Sequence, residues 1–418
     1  MTTQPQRLSG APEAAERWCR PWRDPLVSPE VLLLLAATET AAVAGISAAG
    51  ATPESRRGTA AADAELLLLG PDSPLPHPLP PLPAGVSPAL ISRAVCEGLG
   101  LEPLVVDLGC AIAPGVPHLR PPPPAGAGPA RCLSSGAAMP LERVRALLAL
   151  GQRWGQGGRH GATTPLLLAE CVPGGTTTAQ ALLCGLGIEA RGIMSGSLMQ
   201  PAHHLKADLV ARGLAAAPAA SLARPQPQGD SDPLALVAAV GDPMQPLAAG
   251  LLLAAAARGR PLLLAGGSQM AAVLALAMAL APASLRPRLV ARAAVGTTAW
   301  VASERDSDLA LLLRRIGHRW GHEPLGFAAS LRFHWPIHPA LAAYERGYVK
   351  EGVGAGGLAL LWELAGRSPA ALAAACDRAC RSLLGTGRDS PASTLASLPP
   401  PPPEPGGHAH ADLPSGHG

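Results

Sequence analysis

Residues 166–185, LLLAECVPGGTTTAQALLCG, decide how the chain is read. An apolar run leads to Glu170, and Gly174-Gly175-Thr176-Thr177-Thr178 then open a helix-forming stretch. Apolar runs without alternation belong to strands buried on both faces, as in a parallel sheet covered by helices. A strand, a glycine turn and a helix start together form an anion cradle, because helix amides and the helix dipole favour a phosphate. The hydroxyls of Thr176, Thr177 and Thr178 can add donors. The plain alternative is a capped helix after a tight turn, with the threonines satisfying backbone groups. No lysine lies in the turn, so it is not the nucleotide-hydrolysing loop that ends in Gly-Lys-Ser/Thr.

Working outward, similar runs at 66–69, 104–106, 236–240, 262–265 and 289–295 read as further strands. Helical patterns fill 88–99, 141–154, 178–186, 204–211, 247–257, 270–280 and 308–316. The expected fold is α/β: a mostly parallel, Rossmann-like sheet with helices on both faces. Helices at 357–365 and 369–384 would form a C-terminal helical cover. The expected organisation is a flexible segment at 1–28, one domain over 29–385 and a disordered Pro/His-rich tail at 386–418. Proline-rich stretches near 114–136 and 215–232 read as exposed or disordered insertions. No internal repeat of 20 to 50 residues is visible.

Composition narrows the function. The 7 Trp, 2 Tyr and 2 Phe in 418 residues are too few for base-stacking platforms. Basic residues number 33 against 30 acidic ones with no basic block, so a nucleic-acid partner is not expected. The eight cysteines form no Cys-x-x-Cys pair and suit a reducing, cytoplasmic setting. The first residues carry mixed charge and no apolar core, unlike a signal peptide. Residues 261–283 are uncharged and imitate a membrane helix, but Gly266-Gly267-Ser268-Gln269 breaks the run. A short strand, a glycine turn and a helix of about twelve residues, ~18 Å long, are the better fit. A small-molecule site remains the default.

Other residues could serve such a site. Gly266, Gly267 and Ser268 repeat the strand-to-glycine-to-helix logic, so two strand ends could face one ligand. Asp242 can either cap a helix or touch a ribose hydroxyl. Gly296-Thr297-Thr298 ends another apolar run, and Ser195-Gly196-Ser197 suggests a polar loop. In residues 344–357, YERGYVKEGVGAGG, Glu351 sits among Gly352, Gly354 and further glycines. Glycines let backbone approach a ligand, and a carboxylate held away from water has a raised pKa suited to general-base work. Its plain alternative is a solvated residue after a helix end. His318, His322, His334 and His338 form two His-x-x-x-His pairs, but Gly321 and Pro336 interrupt them, and no metal site is expected.

These residues resemble nicotinate-nucleotide:dimethylbenzimidazole phosphoribosyltransferase, the CobT family of cobamide biosynthesis, in a divergent branch. The family's Gly-Glu-Met-Gly-Ile-Gly-Asn-Thr-Thr is similar to Ala169-Glu170-Cys171-Val172-Pro173-Gly174-Gly175-Thr176-Thr177. Its Glu-Gly-Ser-Gly-Ala is similar to Glu351-Gly352-Val353-Gly354-Ala355. The strand that ends in Asp-Gly-Phe there ends in Ala265-Gly266-Gly267 here. The resemblance spans roughly 38–365 and implies Glu351 as catalytic base. Taken with the reading of the turns above, the candidate phosphate- or substrate-binding residues are Glu170, Gly174, Gly175, Thr176, Thr177, Thr178, Asp242, Gly266, Gly267, Ser268, Gly352 and Gly354. The implied reaction moves 5-phosphoribose from nicotinate mononucleotide to an aromatic base, without a cofactor, in a possible homodimer. The rival readings are a related transferase with another acceptor and a nucleotide-binding protein without turnover.

Overall fold

The computed structural model describes residues 5–157, 164–218 and 232–385. Its sheet is built from β1 (Gln6–Ser9), β2 (Glu30–Leu35), β3 (Leu104–Asp107), β4 (Leu166–Cys171), β5 (Leu262–Ala265), β6 (Ala293–Thr297) and β7 (Leu325–Ala328). The order is β1-β7-β6-β5-β4-β2-β3, with every pair parallel except β1 with β7. All six β4 residues are buried. Leu166 and Leu168 face one core cluster and Leu167 and Ala169 the other, so helices cover both faces as expected. The strand order reverses direction at β2, between β3 and β4. That is where an open α/β sheet leaves a crevice beyond its strand C-termini.

Several expected elements differ. Residues 66–69 belong to the Thr59–Leu69 helix, and 236–240 to the Pro233–Val240 helix. Both helices are buried, and short apolar runs in such helices carry no periodicity that separates them from strands. The decisive signal at the second was local: the Asp232 carboxylate accepts from Leu234 N, and Pro233 takes the first helical position. Residues 289–292 lie in the Arg286–Arg292 helix, and the strand begins only at Ala293. The central strand β2 had no counterpart in the expected set, nor had β1 and β7.

Residues 5–28 of the N-terminal segment are part of the fold. β1 pairs with β7, and Trp18 and Trp22 are buried, with the Trp18 ring stacked on Phe327 at 5.1 Å. The stretch at 114–136 is also packed, with Val116, Ala125, Ala130 and Leu133 buried. Several of its backbone groups are satisfied within the protein: Asp107 N donates to Leu119 O, and the Arg143 guanidinium donates to Ala125 O and Ala127 O. Most of the 215–232 insertion and all of 386–418 lie outside the described residues.

The C-terminal helices Ala355–Leu364 and Pro369–Leu384 form as expected. The first lies directly on the sheet. A Cβ at Gly357 would meet the Ala265 Cβ at 2.3 Å, so glycine permits this close approach. Residues 261–283 resolve into β5, a glycine turn and the Ser268–Leu280 helix. Among the described residues no helix is long and apolar enough to cross a membrane.

Candidate active site

The C-terminal ends of β4, β5 and β6 open on a cavity of about 320 Å³. β4 delivers Glu170, followed by the turn to the Gly175–Gly185 helix. Gly174 adopts φ +79°, where a side chain would be strained and its Cβ would meet Ala41 N at 2.9 Å. The turn after β5 faces this one: a Cβ on Gly175 would lie 1.9 Å from Gln269 Oε1. Two strand-end turns therefore share one cavity, lined by Glu170, Gly174, Gly175, Thr176, Gly267 and Ser268.

Glu351 and Gly352 complete this group. The Glu351 carboxylate is held by four donors. Oε2 accepts from Thr297 Oγ1 at 2.8 Å and Thr298 N at 3.0 Å; Oε1 accepts from Gly356 N at 3.0 Å and Gly352 N at 3.2 Å. Burial raises its pKa, and the four donors oppose that rise. Glu170 is buried and accepts from Val172 N at 3.1 Å. Burial first, and the Glu351 charge second, push it up to about 8. Glu170 is therefore mostly protonated at neutral pH, beside a Glu351 whose proton affinity burial also raises. Two carboxyl groups held close together away from water are a frequent feature of acid–base sites.

The loop bearing Glu351 is strained. Val349, Lys350 and Val353 all adopt positive φ, at 67°, 54° and 54°. Such conformations cost about 1–3 kcal/mol each and persist only where surroundings impose them. Here Val353 N donates to Glu170 O at 2.9 Å and Thr298 Oγ1 to Lys350 O at 2.6 Å. Lys350 Nζ donates to Leu198 O at 2.7 Å and pairs with Glu304 at 2.5 Å. The chain has only two lysines, Lys206 and Lys350, and both are 1% exposed. Lys206 Nζ donates to Ser195 O at 3.1 Å, and burial lowers its pKa to about 8. The two lysines thus fix both ends of the 195–198 loop, whose Ser195, Gly196 and Ser197 line the cavity.

Other expected site residues stand behind the lining. Thr178 Oγ1 donates to Asp242 Oδ2 at 2.6 Å, while Asp242 Oδ1 accepts from Met244 N at 3.0 Å. Of the two readings of Asp242, the geometry is that of a capping residue that braces the cradle helix from behind. Gly266 packs on Met270 and Gly354 on Ala169, and neither lines the cavity. Thr177 is buried, with no hydrogen-bond partner for its hydroxyl among the described residues. The wall missed from sequence comprises Thr59 and Asp63, the 79–88 loop, Cys171 and Gln269. Among the described residues no three His, Cys, Asp or Glu side chains are grouped to hold a metal ion. His338 instead caps the Pro339–Glu345 helix through Ala340 N.

A UPF0284 protein of Prochlorococcus marinus (strain MIT 9313) is 52% identical over 379 residues, covering 89% of this chain and 91% of that protein. The chain belongs to the UPF0284 family. A UPF0284 protein of Parasynechococcus marenigrum (strain WH8102) is likewise 52% identical, over 371 residues, covering 88% of this chain and 90% of that protein. Residues 89–295 match the family described as Phosphoribosyltransferase. That match contains Glu170 and the cradle and ends before Glu351. The crystal structure of CobT from Thermus thermophilus shares the fold, with a TM-score of 0.51 at 19% identity over 90% of this chain and 92% of that one. The fold and the match over residues 89–295 agree with the CobT-family resemblance, and this UPF0284 member is an α/β protein with a phosphoribosyltransferase-family match over about half of its length.

Proposed function

We propose that this UPF0284 protein transfers 5-phosphoribose from nicotinate mononucleotide to a ring nitrogen of a benzimidazole-like or purine base. The product is an α-linked nucleotide of the kind cobamide synthesis requires. The observation that carries this reading is the convergence of a helix-start cradle and a firmly held carboxylate on one cavity. The cradle at Gly174–Thr176 binds the 5′-phosphate, and the helix dipole favours its charge. Fixing the phosphate presents C1′ to the base and lowers the entropic part of the barrier.

The acceptor nitrogen forms a bond to C1′ as the bond to the pyridine nitrogen breaks, its electron pair leaving with nicotinate. Glu351 takes the proton from the acceptor's other imidazole nitrogen. General-base help of this kind is worth about 10²- to 10⁴-fold in rate. Glu170, protonated at neutral pH, adds no second negative charge beside the phosphate. The same chemistry accommodates other acceptors, so a related transferase with a different base is the second reading. A homodimer and a cytoplasmic setting are compatible with it.

The test is chromatographic: purified protein, nicotinate mononucleotide and either dimethylbenzimidazole or adenine, following nicotinate and nucleotide product. Glu351→Gln should lower turnover by at least about 100-fold while mononucleotide affinity changes little. Equal turnover in the variant would remove Glu351 from the mechanism. Saturable mononucleotide binding without product from any base would favour a binding protein.

A further inference from the structure

Asp63 has no part in the reaction as written above. It projects from the Thr59–Leu69 helix, is 4% exposed and lines the cavity. Ser87 Oγ donates to its Oδ1 at 2.6 Å, and Cys171 Sγ to its Oδ2 at 3.5 Å. Both donors are neutral, and among the described residues no cation pairs with it. A carboxylate in so dry a setting is costly unless donors complete its shell. Each oxygen retains acceptor capacity beyond the single donor it has.

The neighbouring lining is apolar: Pro80, Pro81, Leu82 and Val86, with Val349 opposite. A Cβ on Gly85 would meet the Val349 side chain at 3.1 Å, and one on Gly352 the Pro88 ring at 3.0 Å. The 85–88 loop and the Glu351 loop therefore close on each other. Glu351 is anchored at the end of β6 by Thr297 and Thr298, whereas Asp63 is tied to Cys171 at the end of β4. One strand, β5, lies between, so the two anchors stand about 10 Å apart. A flat bicyclic base fits such a slot with its imidazole N–H toward Glu351 and its six-membered ring toward Asp63.

We propose that Asp63 reads the acceptor by taking a hydrogen bond from an exocyclic amino or hydroxyl group on that six-membered ring. The preferred acceptor is then an amino- or hydroxy-substituted bicycle, and dimethylbenzimidazole, whose methyl groups would face the carboxylate, is disfavoured. The inference rests on the phosphoribosyl reading for the word acceptor, but base binding tests it directly. Burial pushes Asp63 up to about 6, so it remains an ionised acceptor at neutral pH.

Calorimetric titration of the full chain at neutral pH with adenine, 6-methylpurine and dimethylbenzimidazole separates the possibilities. 6-Methylpurine keeps the shape of adenine and replaces only the amino donor. Adenine should bind about 10- to 100-fold more tightly than 6-methylpurine, the range for a hydrogen bond to a charged group. Asp63→Leu, which leaves no acceptor, should largely abolish that preference. Equal affinity for the two purines, no binding of any base, or a preference that persists in Asp63→Leu would overturn the proposal. The ligand comparison uses the unaltered protein, so a poorly folding variant cannot obscure it. Asp63-dependent preference without product formation would reject the transfer reaction and keep the recognition role. Product from every base without preference would do the reverse.

Discussion

The two ends of the parallel strands carry different kinds of cavity. At the N-terminal ends of β2, β3 and β4 lies a space of about 720 Å³, more than twice the volume of the one at the C-terminal ends. Its buried cation is matched: Arg260, 1% exposed, pairs with Glu30 at 2.5 Å and donates to Gly157 O and Thr164 O. The smaller cavity holds three carboxyl groups, Glu170, Glu351 and Asp63, all with raised proton affinity. It is also walled by a loop with three non-glycine residues at positive φ. Size therefore does not mark the site; charge held against its preference does.

That contrast can be broken experimentally. Glu351→Gln removes chemistry and, although its amide nitrogen cannot accept from Thr298 N, should cost no more than about 1–3 kcal/mol in stability. Arg260→Met should do the opposite. Depriving Glu30 of Arg260 is expected to cost about 3–5 kcal/mol, the range for breaking a buried pair. Urea unfolding should register the loss, while turnover of the folded fraction stays unchanged. A variant at Arg260 that kept its stability and lost activity would invert the assignment of the two ends.

Gly174→Ala sharpens the comparison within the functional end. The new Cβ meets Ala41 N at 2.9 Å on a backbone at φ +79°, so a penalty of about 1–3 kcal/mol is expected. Part of it should appear as weaker mononucleotide binding, since the cradle must shift. Unchanged affinity in a folded variant would detach the phosphate from this turn.

Stability should also depend on pH. Glu170, Glu363, Asp63 and Asp242 have folded pKa values raised to about 8, 7, 6 and 6, chiefly by burial. Below the unfolded-chain pKa of about 4 both states hold these protons. As pH rises the unfolded chain releases them first, so stability falls until the folded groups ionise, between about pH 4 and 8. Denaturant midpoints should be higher at pH 5.5 than at pH 8. A midpoint that rises over that interval would mean that these carboxyls are ionised in the folded protein.

What could be read from sequence follows the range of the interactions. The cradle was legible because Glu170 and Gly174 to Thr176 act as consecutive residues on one strand-turn-helix unit. Glu351 was legible through its glycine-rich neighbours. Asp63 was not: its partners Ser87 and Cys171 lie 24 and 108 residues away. The lysines that brace the 195–198 loop were equally hidden, since Lys350 meets Leu198 across 152 residues. Thr178 and Asp242 look like ligand donors in sequence yet satisfy each other beneath the lining. In the fold, β3, β4 and β5 were recoverable as apolar runs, whereas the central strand β2 was missed. The helices at Thr59–Leu69 and Pro233–Val240 were read as strands because both are buried apolar segments.

The central claim is that one displacement at C1′ occurs between Glu351 and the Gly174–Thr176 cradle. Nuclear magnetic resonance of the product formed from β-nicotinate mononucleotide tests it most directly, by reading the anomeric configuration alongside nicotinate release. A single attack on the face opposite the leaving group predicts an α-linked nucleotide and one nicotinate per product. A β-linked product, or no nicotinate release with any base in the panel, would contradict the account.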